Sequence, residues 1–309
     1  PTLYSSVLKL YKAINRRMPH LKISLCKQHP KMIWTKGSRN CSYYTLYGAE
    51  KNKQMEITET LIQAVSAIAV KAGKAILKVY HSGEKIQVAV KADYTPLTIA
   101  DQQSHHIIVQ GLEALNENIP VLSEEGADIS YEERKHWNEF WCVDPLDGTK
   151  EFINRRDEFT VNIALIRQGK PVLGVIYTPV YETLYYGTAG RGSWKQKKGE
   201  AAEPLRVDKE ATAWVAIGSR SHASAAEAEV LHAYPVVKTI AAGSSLKFCR
   251  VADGAAHIYY RHGPTMEWDT AAGQAIAENA GAIMTGADGS AFLYNKPSLL
   301  NGSFICRVR

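Results

Sequence analysis

The stretch Trp141-Cys142-Val143-Asp144-Pro145-Leu146-Asp147-Gly148-Thr149 decides how this chain is read. A short apolar run ends in two carboxylates three positions apart, punctuated by a proline, a glycine and a threonine. Apolar runs of this kind read as buried strands, and Pro and Gly end them sharply. Like charges withdrawn from water repel, so two acids at a strand end need a reason. One reason is a divalent cation. Asp144 and Asp147 would then be oxygen ligands for Mg²⁺, a hard ion, and the amides of Gly148 and Thr149 would open the next segment towards a phosphate. The other is a β-turn in which each Asp caps its own backbone. The stretch by itself leaves both open.

Around it, the 309 residues are 45% hydrophobic and 22% charged, the composition of a globular protein with a sizeable core. The net charge of +6 is unevenly placed. Residues 1–54 carry 11 Lys/Arg against one Asp/Glu, a balance of +10, and the other 255 carry 26 against 30, a balance of −4. The basicity belongs to the N-terminal segment, which holds no nucleic-acid-binding motif, so no nucleic-acid partner is expected. Cys26, Cys41, Cys142, Cys249 and Cys306 are scattered, odd in number and without a CxxC pair. Neither a disulfide framework nor a zinc site is suggested, and free thiols in a reducing compartment are expected. No apolar run approaches the ~18 residues of a membrane span. Residues 1–54 lack a sustained period and the apolar region of a secretory signal. Met55 precedes the first clean helix, and the expectation is that residues 1–54 lie upstream of the true start.

That helix runs over 57–80, where Ile57, Leu61, Val65, Ile68, Ala72, Ile76 and Val79 recur at helical spacing and carry no chemistry. Ile86–Lys91 reads as a strand and 92–96 as a turn. Thr98-Ile-Ala-Asp101 then matches the capping box of a helix reaching to about Leu115. Val121-Leu-Ser-Glu124-Glu125-Gly126 is a short strand that again ends in paired acids. Downstream of the quoted stretch, 159–167 and 172–177 form a hairpin, with a further strand at 183–186. The cluster Gly187-Thr-Ala-Gly190-Arg-Gly192 follows GxxGxG without a following Lys-Ser/Thr, and reads as a hairpin loop rather than a nucleotide loop. From Trp214 onwards short strands (214–217, 236–240, 257–260, 282–284) alternate with helices (223–231, 245–253, 269–279), as in an α/β layer.

Acids thus sit where strands end or helices begin: Asp101, Glu124 with Glu125, Asp144, Asp147 and Asp269. One such acid is usually a cap. Convergence on two Mg²⁺ ions roughly 3.5–4 Å apart would explain them together, as in metal-assisted hydrolysis of a phosphate ester.

Three of these segments, Ser123-Glu124-Glu125, Asp144-Pro-Leu-Asp-Gly-Thr149 and Trp268-Asp-Thr-Ala-Ala-Gly273, resemble the signature motifs of the lithium-sensitive, Mg²⁺-dependent inositol monophosphatase superfamily. Within it the chain is most similar to the bacterial CysQ-type 3′(2′),5′-bisphosphate nucleotidases, through Lys91–Asp101, Gly218-Ser-Arg-Ser-His222 and Gly243-Ser-Ser-Leu-Lys-Phe-Cys249. The resemblance runs from about Met55 to the C-terminus. It implies a layered α/β/α/β/α sandwich of the inositol monophosphatase and fructose-1,6-bisphosphatase type, α+β to α/β in class. Residues 55–212 would form an α+β metal-binding half, and 213–309 an α/β half that completes the metal site and binds nucleotide, the two sharing an extensive interface. Residues 1–54 would be a basic extension, disordered or not native.

The resemblance also implies roles. Glu124, Asp144 and the Leu146 carbonyl would hold one Mg²⁺, and Asp144, Asp147 and Asp269 a second, with two or three ions per active site. Asp101 and Thr149 would be the catalytic pair that orients the attacking water. Glu124, Leu146, Asp147, Gly148, Thr149 and Asp269 would also face the substrate, and His222, Ser244, Lys247 and Arg261 would surround its nucleotide. Lys247 and Arg261 would meet the 5′-phosphate, Arg through its planar fork of donors. The reaction implied is hydrolysis of the 3′-phosphate of adenosine 3′,5′-bisphosphate to AMP and phosphate, in sulfate assimilation, with 3′-phosphoadenylyl sulfate as a further candidate substrate. The implied location is the cytoplasm, and the basic segment admits peripheral association with the cytoplasmic side of the inner membrane.

Plainer readings stand beside these. Asp101 fits a cap, Glu125 a solvated acid, Trp268 a core aromatic, and Lys247 and Arg261 surface charges. His105 and His106 are adjacent and make a poor metal pair, and His262 has no evident partner. Two rival functions remain: a sister phosphatase of inositol phosphates or fructose bisphosphate using the same metal site, and a non-catalytic protein whose basic segment docks on an anionic surface.

Overall fold

Thr58 caps the first helix of the main body by accepting the Leu61 N–H at 3.1 Å, and the helix runs Glu59–Tyr80. The structure, a computed structural model, describes residues 23–25, 32–35, 43–45, 54–82, 88–90, 96–220 and 225–309. The chain divides into two units, Pro1–Met55 and Glu56–Arg309. In the first, strands Ile23–Leu25, Met32–Thr35 and Tyr43–Thr45 pair antiparallel in one sheet. The sequence shows no period that would reveal them.

The second unit is built in layers. Helix Glu59–Tyr80 packs on helix Ile99–Leu115, with Ile68 seated against Gly111, and both lie on one face of a seven-stranded sheet. Taken along the sheet, the strands are Glu203–Leu205, Gly192–Lys197, Thr183–Thr188, Lys170–Thr178, Thr160–Arg167, Glu139–Asp147 and Val121–Ser123. All neighbours are antiparallel except the last pair. Helices Leu246–Ala252 and Glu267–Asn279 pack on each other, and the second covers the sheet's other face. The second of these lies close because Gly174 has no side chain: a Cβ there would fall 2.3 Å from the Ala272 carbonyl oxygen. Beyond the helices stands a five-stranded sheet in the order Val236–Ala242, Trp214–Ser219, Ile258–Arg261, Phe304–Arg307, Ile283–Gly286. Ala216, Ile258, Tyr260 and Ile305 on its outer face pack against Val230 and Leu231 of helix Ala225–Leu231. The order helix, sheet, helix, sheet, helix is the expected α/β/α/β/α sandwich.

Phe140, Cys142, Ala164, Ile176, Phe248 and Phe304 share one buried cluster that spans both sheets through the middle helices. Trp268 belongs to it at 5% exposure, a core aromatic. The gap between the sheets falls at 206–213, and both sheets lie within a single unit. The Gly187–Gly192 cluster closes a hairpin between adjacent antiparallel strands, as its spacing predicts.

Two expectations need correction. The strands Gly192–Lys197, Glu203–Leu205 and Phe304–Arg307 were not expected; they are short, the first carries mostly polar residues, and the second holds a proline. One helix, Glu59–Tyr80, is long and apolar enough to cross a membrane by length and composition. Nine of its residues are buried against protein, which makes it a core helix of this unit. Of the positions read as its apolar stripe, Leu61, Val65, Ala72 and Ile76 are buried, Ile68 and Val79 are half-buried, and Ile57 precedes the helix.

Candidate active site

Asp144 and Asp147 are three residues apart on one strand, and side chains at an odd spacing point to opposite faces of a regular strand. A β-bulge resolves this. Asp144 pairs with Asn162 and Asp147 with Thr160, so between these pairs two residues on one strand, Pro145 and Leu146, stand opposite one on the other, Val161. The extra residue falls at Pro145-Leu146, where proline has no N–H to give to a ladder. Both acids consequently line one cleft of about 290 Å³, as do Glu124, the Leu146 backbone segment and Asp269.

Each acid is anchored by backbone or buried side chains. Asp144, 1% exposed, accepts the Leu146 N–H at 3.0 Å. Asp269 Oδ2 accepts the Met266 N–H at 2.7 Å and so caps helix Glu267–Asn279. Asp147 Oδ2 accepts from Asn162 Nδ2 at 3.1 Å and Ser245 Oγ at 2.6 Å. Ser245 Oγ also lies 2.9 Å from the Asp269 carbonyl oxygen. Burial, reinforced by Glu124, Asp147 and Asp269, pushes the Asp144 carboxyl well above the ordinary carboxylate range. Burial and the charges of Asp147 and Glu124 do the same to Asp269, against the opposing pull of the Met266 N–H and Lys247.

Asp101 serves two purposes at once. One of its oxygens accepts the Thr98 N–H at 2.8 Å, completing the capping box of helix Ile99–Leu115. The other accepts the Thr149 hydroxyl at 3.4 Å, and that hydroxyl also lies 3.3 Å from the Leu146 carbonyl oxygen. The cap and the contact with Thr149 therefore coexist on one carboxylate. Gly148 has φ +91°, and a Cβ would meet the Glu158 carbonyl oxygen at 3.1 Å, so glycine is required where the chain turns into helix Thr149–Ile153.

Cations line the same cleft. Lys247 and Arg261, which the sequence allowed to be surface charges, are buried at 6% and 8% exposure. Lys247 Nζ donates to the Ser244 carbonyl and stands 5.4 Å from the Tyr259 ring centre. Burial, with Arg261 nearby, lowers the Lys247 ammonium below its usual range despite Asp147, Glu151 and Asp269. Arg261 Nε is a buried donor with no partner. Ser244, Gly148 and Thr149 line it as well. His222 lies outside the described residues. Glu125 does not line the cleft. His105 Nδ1 is 2.8 Å from Ser123 Oγ, and neither His105 nor His106 lines the cleft. His262 does have partners, contrary to expectation: Tyr260 OH at 3.2 Å from Nδ1, and Glu227, which accepts its backbone N–H.

The donor set fits a hard divalent cation: four carboxylates and a carbonyl gathered on one cleft, two of the acids strained upward in pKa by burial and by each other. Among the described residues no three acids close into a ready-made coordination shell.

Sequence reading missed the supports behind the acids. Asn162 and Ser245 hold Asp147. Ser104 Oγ donates to the Pro145 carbonyl at 2.6 Å and fixes the bulge to helix Ile99–Leu115. Glu267, fully buried, accepts the N–H groups of Asn295 and Lys296. A polar residue inside an apolar strand, as Asn162 is, was the available signal.

Residues 56–307 match the inositol monophosphatase family. A 3′(2′),5′-bisphosphate nucleotidase CysQ from Salmonella typhimurium is 46% identical over 245 residues, spanning 79% of this chain and 98% of that protein. The CysQ of Escherichia coli strain K12 is 45% identical over the same length. Among solved structures, CysQ from Bacteroides thetaiotaomicron superposes with a TM-score of 0.72 at 40% identity, covering 82% of this chain and 98% of its own. The extragenic suppressor protein suhB of Bartonella henselae gives 0.67 at 25% identity, covering 81% and 94%. With its layers, its cleft of acids and these relatives in agreement, the chain belongs to the inositol monophosphatase family.

Proposed function

We propose that this protein is a Mg²⁺-dependent phosphatase that removes the 3′-phosphate of adenosine 3′,5′-bisphosphate, yielding AMP and phosphate, and that it clears this by-product of sulfate assimilation. The observation that carries the substrate class is the cleft's mixed charge: beside the carboxylates it is lined by two buried cations, one with an unpartnered donor. An inositol monophosphate would leave that donor unsatisfied; a second phosphate would meet it. The CysQ relatives carry the same substrate class in their names.

In this reading Glu124, Asp144 and the Leu146 carbonyl hold one Mg²⁺, and Asp144, Asp147 and Asp269 another, with room in the scheme for a third. Bound Mg²⁺ lowers the pKa of the attacking water and neutralises charge on the departing ribose oxygen. The chain's own residues do the rest. Thr149 Oγ lies between Asp101 and the Leu146 carbonyl, placed to accept a hydrogen bond from the water while passing its own proton towards Asp101 Oδ1. Asp101, held by its capping box, receives that proton without swinging. The amides of Gly148 and Thr149 face the scissile phosphate, and Lys247, Arg261, Ser244 and His222 hold the nucleotide with its 5′-phosphate. 3′-Phosphoadenylyl sulfate offers the same 3′-phosphate to the same groups. Cys142, Cys249 and Cys306 are buried free thiols, in keeping with a reducing, cytoplasmic setting. No described feature supports membrane association.

The test is phosphate release from adenosine 3′,5′-bisphosphate, inositol 1-phosphate and fructose 1,6-bisphosphate, with and without Mg²⁺ and with Li⁺. The bisphosphate nucleotide should have the highest kcat/KM, abolished without Mg²⁺ and inhibited by Li⁺. A preference for inositol 1-phosphate would refute the substrate.

A further inference from the structure

Asp147 owes its orientation to two residues outside the acid motifs. Asn162 Nδ2 and Ser245 Oγ reach its Oδ2 at 3.1 and 2.6 Å. Both side chains are buried, at 1% exposure each, so bulk water does not compete for these bonds. Counting protons fixes their directions. Asn162 Nδ2 has two hydrogens and spends one on Asp147 and one on Ser245 Oγ, 2.9 Å away. Ser245 has a single hydrogen, and the shorter contact to a charged acceptor takes it in preference to the Asp269 carbonyl. Turning the Asn162 amide would set its oxygen against a carboxylate. As oriented, its oxygen is buried without a partner. Buried polar atoms left unpaired are unfavourable and need a reason.

The reason lies in what the pair leaves over. With Oδ2 taken by two donors, Oδ1 is the oxygen that Asp147 has for the cleft it lines. We infer that Asn162 and Ser245 are positioning residues that clamp Asp147 Oδ2 and so present Oδ1 alone to a divalent cation. The clamp also joins three elements: the strands of Asp147 and Asn162 and the segment opening helix Leu246–Ala252. This inference rests on the cation-binding reading above.

Two variants of the full chain separate the clamp from mere packing. Asn162→Asp keeps the side-chain volume and exchanges the donor for an acceptor; Ser245→Ala deletes one oxygen. The Mg²⁺ dissociation constant is measured by calorimetry without substrate, beside the melting temperature without Mg²⁺ and the Mg²⁺ concentration for half-maximal activity. Loss of a partner that orients a metal ligand commonly weakens metal affinity about 10–100-fold. That weakening is expected in both variants, larger in Asn162→Asp; the metal-free melting temperature should be little changed in Ser245→Ala and lowered in Asn162→Asp, which buries a second acid against Asp147. Should Asn162→Asp not fold, Ser245→Ala decides. Wild-type Mg²⁺ affinity in the folded variants overturns the clamp alone, and a wild-type protein that binds no Mg²⁺ overturns the cation reading with it.

Discussion

Replacing Asp144 by Asn separates catalysis from stability more cleanly than any other change in the cleft. Asn keeps the shape, and its oxygen still accepts the Leu146 N–H that Asp144 accepts at 3.0 Å. What disappears is a buried charge facing Glu124, Asp147 and Asp269. The sign follows from the raised pKa. The folded Asp144 and Asp269 hold protons at pH values where the unfolded chain has released them, so metal-free stability falls as pH rises from the ordinary carboxylate range through the raised values. Each such group contributes a slope of up to about 1.4 kcal/mol per pH unit within that window. Asp144→Asn removes one of them. Without Mg²⁺ the variant should be at least as stable as wild type at pH 7, with a shallower pH dependence.

Catalysis should respond in the opposite direction. Asp144 is the acid proposed to touch both ions, and loss of one preorganised electrostatic group costs about 10²–10³-fold in kcat. A ligand shared by two ions belongs at the upper end, and 10³-fold corresponds to about 4 kcal/mol of activation free energy. Mg²⁺ at about 100 times its dissociation constant should stabilise wild type by about 2.7 kcal/mol, a melting shift of roughly 5–10 °C for a unit this size. That shift should largely vanish in Asp144→Asn. Calorimetric melts between pH 5 and 8, with and without Mg²⁺, and phosphate release on adenosine 3′,5′-bisphosphate measure all of this. Near-wild-type, Mg²⁺-dependent turnover by the purified variant would refute the reasoning, whatever the melts show.

Arg261→Met should raise KM for adenosine 3′,5′-bisphosphate about 10–100-fold, since a hydrogen bond to a charged group is worth about 1.5–3 kcal/mol. It should change KM for adenosine 3′-monophosphate little; equal losses on both substrates would remove Arg261 from the 5′-phosphate. Gly148→Ala forces a Cβ into φ +91° and against the Glu158 carbonyl oxygen. It should destabilise the protein by about 1–3 kcal/mol, seen as a lower melting temperature, and reduce turnover by moving Thr149; an unchanged melt would show that the turn adapts.

Local patterns were legible because they are written in adjacent residues. Helix Glu59–Tyr80 shows its apolar stripe, Thr98 and Asp101 show their capping box, and the GxxGxG cluster shows a hairpin loop. The strand Phe304–Arg307 was not legible, because its inner place in the five-stranded sheet is fixed by partners some twenty and fifty residues away. Asp101 could be read as a cap or as one of a catalytic pair, and no local pattern could say that its two oxygens divide the roles. Lys247 and Arg261 look like ordinary charges until the fold buries them. His262 looked solitary because Glu227 reaches it only through the fold.

Sequence by itself therefore determined which residue types were available: four acids, a threonine behind a glycine, two cations, and the α/β/α/β/α layering that the motifs imply. Only the tertiary structure decided that Asp144 and Asp147 face the same way. Their spacing of three would set them on opposite sides of a regular strand. The bulge at Pro145-Leu146 adds the residue that turns them together, and it exists because the neighbouring strand pairs Asp144 with Asn162 and Asp147 with Thr160. That register is a contact between strands, and no spacing along one strand contains it.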